Sequence, residues 1–181
     1  MLVPRRSRRS PRTLLVTVAL AVAAGLAGPA LRGRFAGPRL PASAARPQVR
    51  EGAWVEVRRI VDGDTVVLAN GERVRYIGVD TPELHHPRKP VQYYAREAAE
   101  FNRRLVERQP VRLEFDVERR DRYGRTLAYL FLQDGTFVNA ELVRQGYAQL
   151  LTIPPNVKYV DLFTKLQKEA REAGRGLWSK Q

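Results

Sequence analysis

Residues 54–79, WVEVRRIVDGDTVVLANGERVRYIGV, decide how the rest of the chain is read. Three runs, WVEVRRIV, TVVLA and ERVRYIGV, are separated by Asp62-Gly63-Asp64 and by Asn70-Gly71. β-Branched and aromatic residues suit a pleated, half-buried surface. Asn-Gly between two such runs is the strongest short hairpin signal, because a type I′ turn needs positive φ at both central positions. The stretch predicts a three-stranded meander with Asn70-Gly71 in a type I′ turn.

Beyond it, a loop covers residues 81–90, and Ala95, Ala98, Phe101, Leu105 and Val106 then recur at helical spacing among charged residues until Pro110 closes the pattern. Two further strands, VRLEFDVE and RTLAYLFL, flank a charged turn over residues 119–124. A short helix over residues 138–145 stops at Gly146, a residue suited to a helix C-terminus. A last helix over about residues 157–173 places Leu162, Phe163, Leu166 and Ala170 on one face. The expectation is an α+β domain with a five-stranded β-barrel of the OB type and three α-helices; strand count alone also admits a sandwich.

On the N-terminal side the composition changes. Residues 1–44 hold eight arginines and no acid, and residues 13–31, TLLVTVALAVAAGLAGPAL, are uncharged. A basic start followed by an apolar run reads as a targeting element, either a cleaved signal peptide or a membrane anchor, with the following domain outside the cytoplasm. Residues 32–50, rich in Pro, Ala, Gly and Arg, read as a linker, so the expected organisation is 1–31 leader or anchor, 32–50 linker and 51–181 folded domain. Of the formal charge of +13 in 181 residues, those eight arginines carry the larger part; the other 24 Lys and Arg against 19 Asp and Glu leave +5. The domain is thus mildly basic, which is compatible with a polyanionic partner but does not require one. The absence of cysteine excludes disulfides, zinc-thiolate sites and a thiol nucleophile.

Two acidic clusters, Asp62-Gly63-Asp64-Thr65 and Asp80-Thr81-Pro82-Glu83, stand at strand ends of the meander. Each alone is ordinary turn chemistry. Together, Asp64 and Asp80 can share a hard cation such as calcium, completed by the Thr81 carbonyl and water. Arg75 and Arg125 are each compatible with a solvated strand residue or a surface ion pair. Phosphodiester cleavage, however, needs permanent planar cations for the oxygens that gain charge, a carboxylate for the attacking water and a metal for the phosphoryl group.

In order and spacing, IVDGDT (60–65), RVRYIGVDTPE (73–83), HPRK (86–89), DRYGRTLAY (121–129), VNAELVRQGYA (138–148) and GLWS (176–179) resemble the staphylococcal nuclease family over about residues 54–178. The resemblance implies an OB-fold barrel, one Ca2+ and hydrolysis of DNA and/or RNA by water attack on phosphorus. It also implies roles: Asp64, Asp80 and Thr81 for the metal, Glu83 for the water, Arg75 and Arg125 for the phosphate, Arg122 and Tyr123 near the nucleotide, and Asp62 behind Asp64. One departure stands out. Where the family prototype has two tyrosines beside the nucleotide, residues 150–154 here read LLTIP. His85 and His86 are adjacent, with no third histidine to make a zinc site. The alternative is an exported, non-catalytic binding module for nucleic acid or protein on the same fold. The filled positions at Arg75 and Arg125, which calcium alone would not need, weigh toward an enzyme. Nothing in the sequence demands more than a monomer.

Overall fold

A computed structural model describes residues 48–85 and 90–179; the expected leader, nearly all of the linker and residues 86–89 of the HPRK motif lie outside the described residues. In chain order the elements are β1 (Trp54–Asp62), β2 (Thr65–Leu68), β3 (Arg73–Tyr76), β4 (Val79–Asp80), α1 (Ala95–Val106), β5 (Pro110–Glu114), β6 (Thr126–Leu132), α2 (Val138–Arg144), β7 (Gln149–Leu150) and α3 (Val160–Glu172), then a 3-10 turn at Gly176–Trp178. Strands β1-β2-β3-β6-β5 close into a barrel. The barrel, not the sandwich, is therefore the architecture. Its one parallel pairing, β3 with β6, sets Arg75 opposite Leu127 and brings the meander beside the DRYGR turn.

Alternation explains the core. In β5, Val111 and Leu113 point inward between partly exposed neighbours, and Val57, Val66, Val74 and Leu130 meet them inside the barrel. Phe163, Leu166 and Ala170 of α3 are buried, whereas Leu162 is 37% exposed and falls outside the predicted apolar face. Phe163 packs so closely against Gly78 that a Cβ there would lie 2.5 Å from its ring.

That contact accounts for one departure from the sequence reading. ERVRYIGV is not one strand: at Gly78, φ +80°, the chain turns out of the barrel, and Val79–Asp80 pairs instead with the short β7. The hairpin at residues 69–72 exists, but Gly71 alone there has positive φ, so the loop is not a type I′ turn. Gly71 N–H donates to the Leu68 carbonyl and Leu68 N–H to the Glu72 carbonyl, the pattern of a type I turn followed by a left-handed glycine.

Candidate active site

The closest apposition in the site depends on a missing side chain. A Cβ at Gly63 would lie 2.7 Å from the Thr81 hydroxyl, so only glycine lets the Asp62-Gly63-Asp64 turn meet the start of Asp80-Thr81-Pro82-Glu83. Asp64, 5% exposed, uses this proximity: its Oδ2 accepts from the Thr81 backbone N–H at 2.7 Å and from the Thr81 hydroxyl at 2.8 Å, and its Oδ1 accepts from Thr65 at 3.1 Å. The two acidic clusters that are 17 residues apart in sequence are thereby one structure.

Arg75 lies across both. Nη1 forms an ion pair with Asp64, off the line of an aligned hydrogen bond, and Nη2 donates to Asp80 Oδ1 at 2.7 Å. Burial pushes the Asp80 carboxyl above its ordinary value, with Arg75 opposing and the Asp64 charge adding to the rise. Glu83 is exposed, yet its carboxyl is also raised, first by desolvation and then by the charges of Asp62, Asp64 and Asp80. Four acids thus crowd one arginine. Like charges held this close favour an added cation or a retained proton.

Among the described residues, no three His, Cys, Asp or Glu side chains converge as a metal cluster. The donors available to a cation are the Asp64 and Asp80 carboxylates, which the Arg75 guanidinium already shows to share one positive charge. An all-oxygen set of two carboxylates, completed by a carbonyl and water, suits a hard ion such as calcium and does not suit zinc. Asp62 ends β1 at the start of the same turn. Its carboxylate lies 3.4 Å from His85 Nδ1, and it is the Asp62 carbonyl that accepts from Asn102 at 3.4 Å.

The second arginine is positioned by the loop after β5. Asp121 Oδ1 accepts from the backbone N–H groups of Tyr123 and Arg125, each at 2.9 Å, and Oδ2 accepts from Arg125 Nε at 2.6 Å. Burial would raise the Asp121 carboxyl, but the hydrogen bonds from Arg125 outweigh it and hold the group below its ordinary value. Arg75 and Arg125 line one cleft of about 440 Å³ with Arg122, Tyr123, Leu151 and Ile153. Arg122 donates to the Tyr123 hydroxyl at 2.7 Å. The guanidinium carbon of Arg125 stands 5.5 Å from the centre of the Tyr123 ring. Leu151 and Ile153 add aliphatic side chains to the lining of the same cleft.

The family described as "Staphylococcal nuclease homologue" matches residues 73–180. The chain belongs to the staphylococcal nuclease family. A thermonuclease of Staphylococcus intermedius is 45% identical over 127 residues, covering 68% of this chain and 75% of that protein. A thermonuclease of Staphylococcus hyicus is 42% identical with the same coverage. The endonuclease YncB of Bacillus subtilis is 42% identical over 131 residues, 70% of this chain and 62% of its own length.

Three supporting residues escaped the sequence reading. Asn102, fully buried on α1, accepts from the Tyr76 hydroxyl at 3.0 Å and reaches the Asp62 carbonyl, tying the helix to the Asp62-Gly63-Asp64 turn. Gln92 accepts from the Glu83 N–H at 2.8 Å and returns a hydrogen bond to the Glu83 carbonyl, clasping the two ends of the basic loop. Asp121 is the third. Asn102 alone carried a signal: a polar residue four positions from both Ala98 and Val106, on the apolar stripe.

Proposed function

We propose that this chain hydrolyses phosphodiester bonds of DNA or RNA in a calcium-dependent reaction, by water attack on phosphorus. The chain is a hydrolase of the nuclease class, as its family membership and its identity to thermonucleases indicate. The observation that carries the finer reading is the convergence of Arg75 and Arg125 on one cleft, with Arg75 also joined to Asp64 and Asp80.

Calcium held by Asp64, Asp80 and the Thr81 carbonyl would polarise the phosphoryl group and favour a nearby hydroxide-like water. Arg75 and Arg125 bind the phosphate oxygens and offset the charge that builds on them as the new bond forms. Asp121 occupies Nε of Arg125, which leaves the terminal nitrogens of that guanidinium for the substrate. Glu83 orients the water and takes its proton. Its carboxyl, raised by desolvation and by the charges of Asp62, Asp64 and Asp80, is a stronger base than an ordinary glutamate. The P–O ester bond breaks, and the departing oxygen takes up a proton. A nucleobase seats between Tyr123 and the aliphatic Leu151 and Ile153, with Arg122 on a neighbouring phosphate.

We further propose that residues 1–31 export the domain or tether it outside the cytoplasm, on the strength of the basic start and the uncharged run that follows. Separating cell fractions before and after a salt wash distinguishes tethered from released protein; a purely cytoplasmic pool would reject export. For the activity, the full chain is incubated with single-stranded DNA, duplex DNA and RNA, in calcium or in chelator. Cleavage of at least one in calcium alone is expected, and no cleavage of any of them would reject the proposal.

A further inference from the structure

The outer face of the meander carries a cluster of arginines beside the Arg75 site. Directly paired residues on neighbouring strands share a face, as do alternate residues along one strand. The pairings Asp62 with Thr65 and Thr65 with Arg75 therefore make one row across β1, β2 and β3. Arg59 with Val67 and Val67 with Arg73 make the next row, about 7 Å further along. A register shift between Val57 and Arg59 interrupts the ladder at Arg58, and Arg58 joins Arg59 and Arg73 around one concavity of about 620 Å³ that also includes Val67 and Asn70.

No carboxylate lines that concavity. Arg58, Arg59 and Arg73 are exposed, and among the described residues none of the three forms an ion pair. Some exposed arginines of the domain pair with acids, as Arg103 does with Glu100 and Arg119 with Glu51, whereas these three stand together around one concavity. Three planar cations around one concavity, with Arg73 one alternate position from Arg75 on the same strand face, fit an extended polyanion better than a single small anion.

We infer that Arg58, Arg59 and Arg73 form an auxiliary binding track for the sugar-phosphate backbone of the substrate strand outside the cleavage site. The inference rests on the nuclease reading of the Arg75 and Arg125 cleft. Its contribution is electrostatic and independent of base sequence, so it acts on capture of a long strand and not on the chemical step.

The test compares the full chain with its Arg58→Gln/Arg59→Gln/Arg73→Gln variant. Binding of a fluorescently labelled single strand of about 20 nucleotides is followed by anisotropy in chelator, where the strand stays whole, across a salt series. Each phosphate contact on a single strand contributes about 0.7 to the slope of log affinity against log salt, so three contacts contribute about 2. Between about 50 and 200 mM salt the unsubstituted chain should therefore lose roughly twentyfold more affinity than the variant. The arginines of residues 1–44 are common to both proteins and cancel in the comparison. Arg73→Gln alone should remove about 0.7 of the slope, which keeps the test decisive if the triple variant folds poorly.

A chromogenic dinucleotide, too short to reach the track, should be cleaved in calcium equally by both proteins. An unchanged salt slope would overturn the inference whatever the cleavage result. A reduced slope in a chain that cleaves neither substrate would uphold the track and reject the nuclease reading instead.

Discussion

Two adjacent rows on one sheet face treat the same residue type in opposite ways. In the first, Arg75 is 13% exposed, ion-paired to Asp64 and hydrogen-bonded to Asp80, and its neighbours are held by Thr81 and Asn102. In the second, two residues away on β3, Arg73 is exposed, without an acid partner among the described residues, and stands beside Arg58 and Arg59. Positioning and attraction are thereby separated on one face. A guanidinium held between the buried Asp64 and the Asp80 carboxylate has a fixed direction and can favour one arrangement of charge, the requirement for lowering a barrier. Solvated guanidiniums on flexible stems attract any phosphate and discriminate little.

Breaking the fixed side should have the largest effect. Arg125→Ala is expected to slow turnover by roughly a hundredfold or more, with KM changed much less and the circular dichroism spectrum retained. Retained turnover would remove Arg125 from the reacting phosphate. Asp121→Asn leaves Arg125 in place but removes the charged acceptor from its Nε, so a smaller fall, of about tenfold or more, is expected in kcat measured on a saturating substrate. The same substitution sharpens a stability argument. The Asp121 carboxyl is depressed in the folded protein, so it contributes stability above its ordinary pKa, and that contribution is lost as pH falls through the depressed value. Melting temperature should therefore drop less steeply below roughly pH 4 in Asp121→Asn than in the unsubstituted chain; parallel curves would contradict the assignment.

Gly63→Ala tests how far the fixed row depends on close approach. The added methyl would meet the Thr81 side chain, and a loss of about 1 to 3 kcal/mol in chemical denaturation is expected, together with weaker calcium dependence of cleavage. On the solvated side, the smallest effect is expected: Arg73→Gln should change the salt dependence of binding and leave dinucleotide turnover alone.

This contrast also explains how much could be read from the sequence. The barrel was legible because alternation in VRLEFDVE and the β-branched runs of residues 54–79 record which face is buried. The turning point at Gly78 and the strand β7 were not, because two-residue strands have no period and the contact that fixes Gly78 comes from Phe163, 85 residues later. The turn at residues 69–72 differs from type I′ because Asn-Gly also serves a type I turn closed by a left-handed glycine. Spacing alone assigns Leu162 to the buried face, but α3 buries Phe163, Leu166 and Ala170 and leaves Leu162 37% exposed.

Site residues followed the same rule. Asp64, Arg75, Asp80 and Thr81 were recognisable as types in a motif, and the structure brings all four into contact. Asp121 and Gln92 were hidden because their work is to hold Arg125 and the backbone of Glu83, and nothing in a linear string marks a hydrogen bond across a loop.

The central claim, that this constellation cleaves phosphodiesters, is tested most directly by the initial rate on a labelled single strand, measured for the unsubstituted chain and for Glu83→Gln, in calcium and in chelator. Cleavage by the unsubstituted chain in calcium, none in chelator, and a rate lower by about a hundredfold or more for Glu83→Gln with its fold intact are expected. Equal rates for the two proteins, or cleavage that persists in chelator, would contradict it.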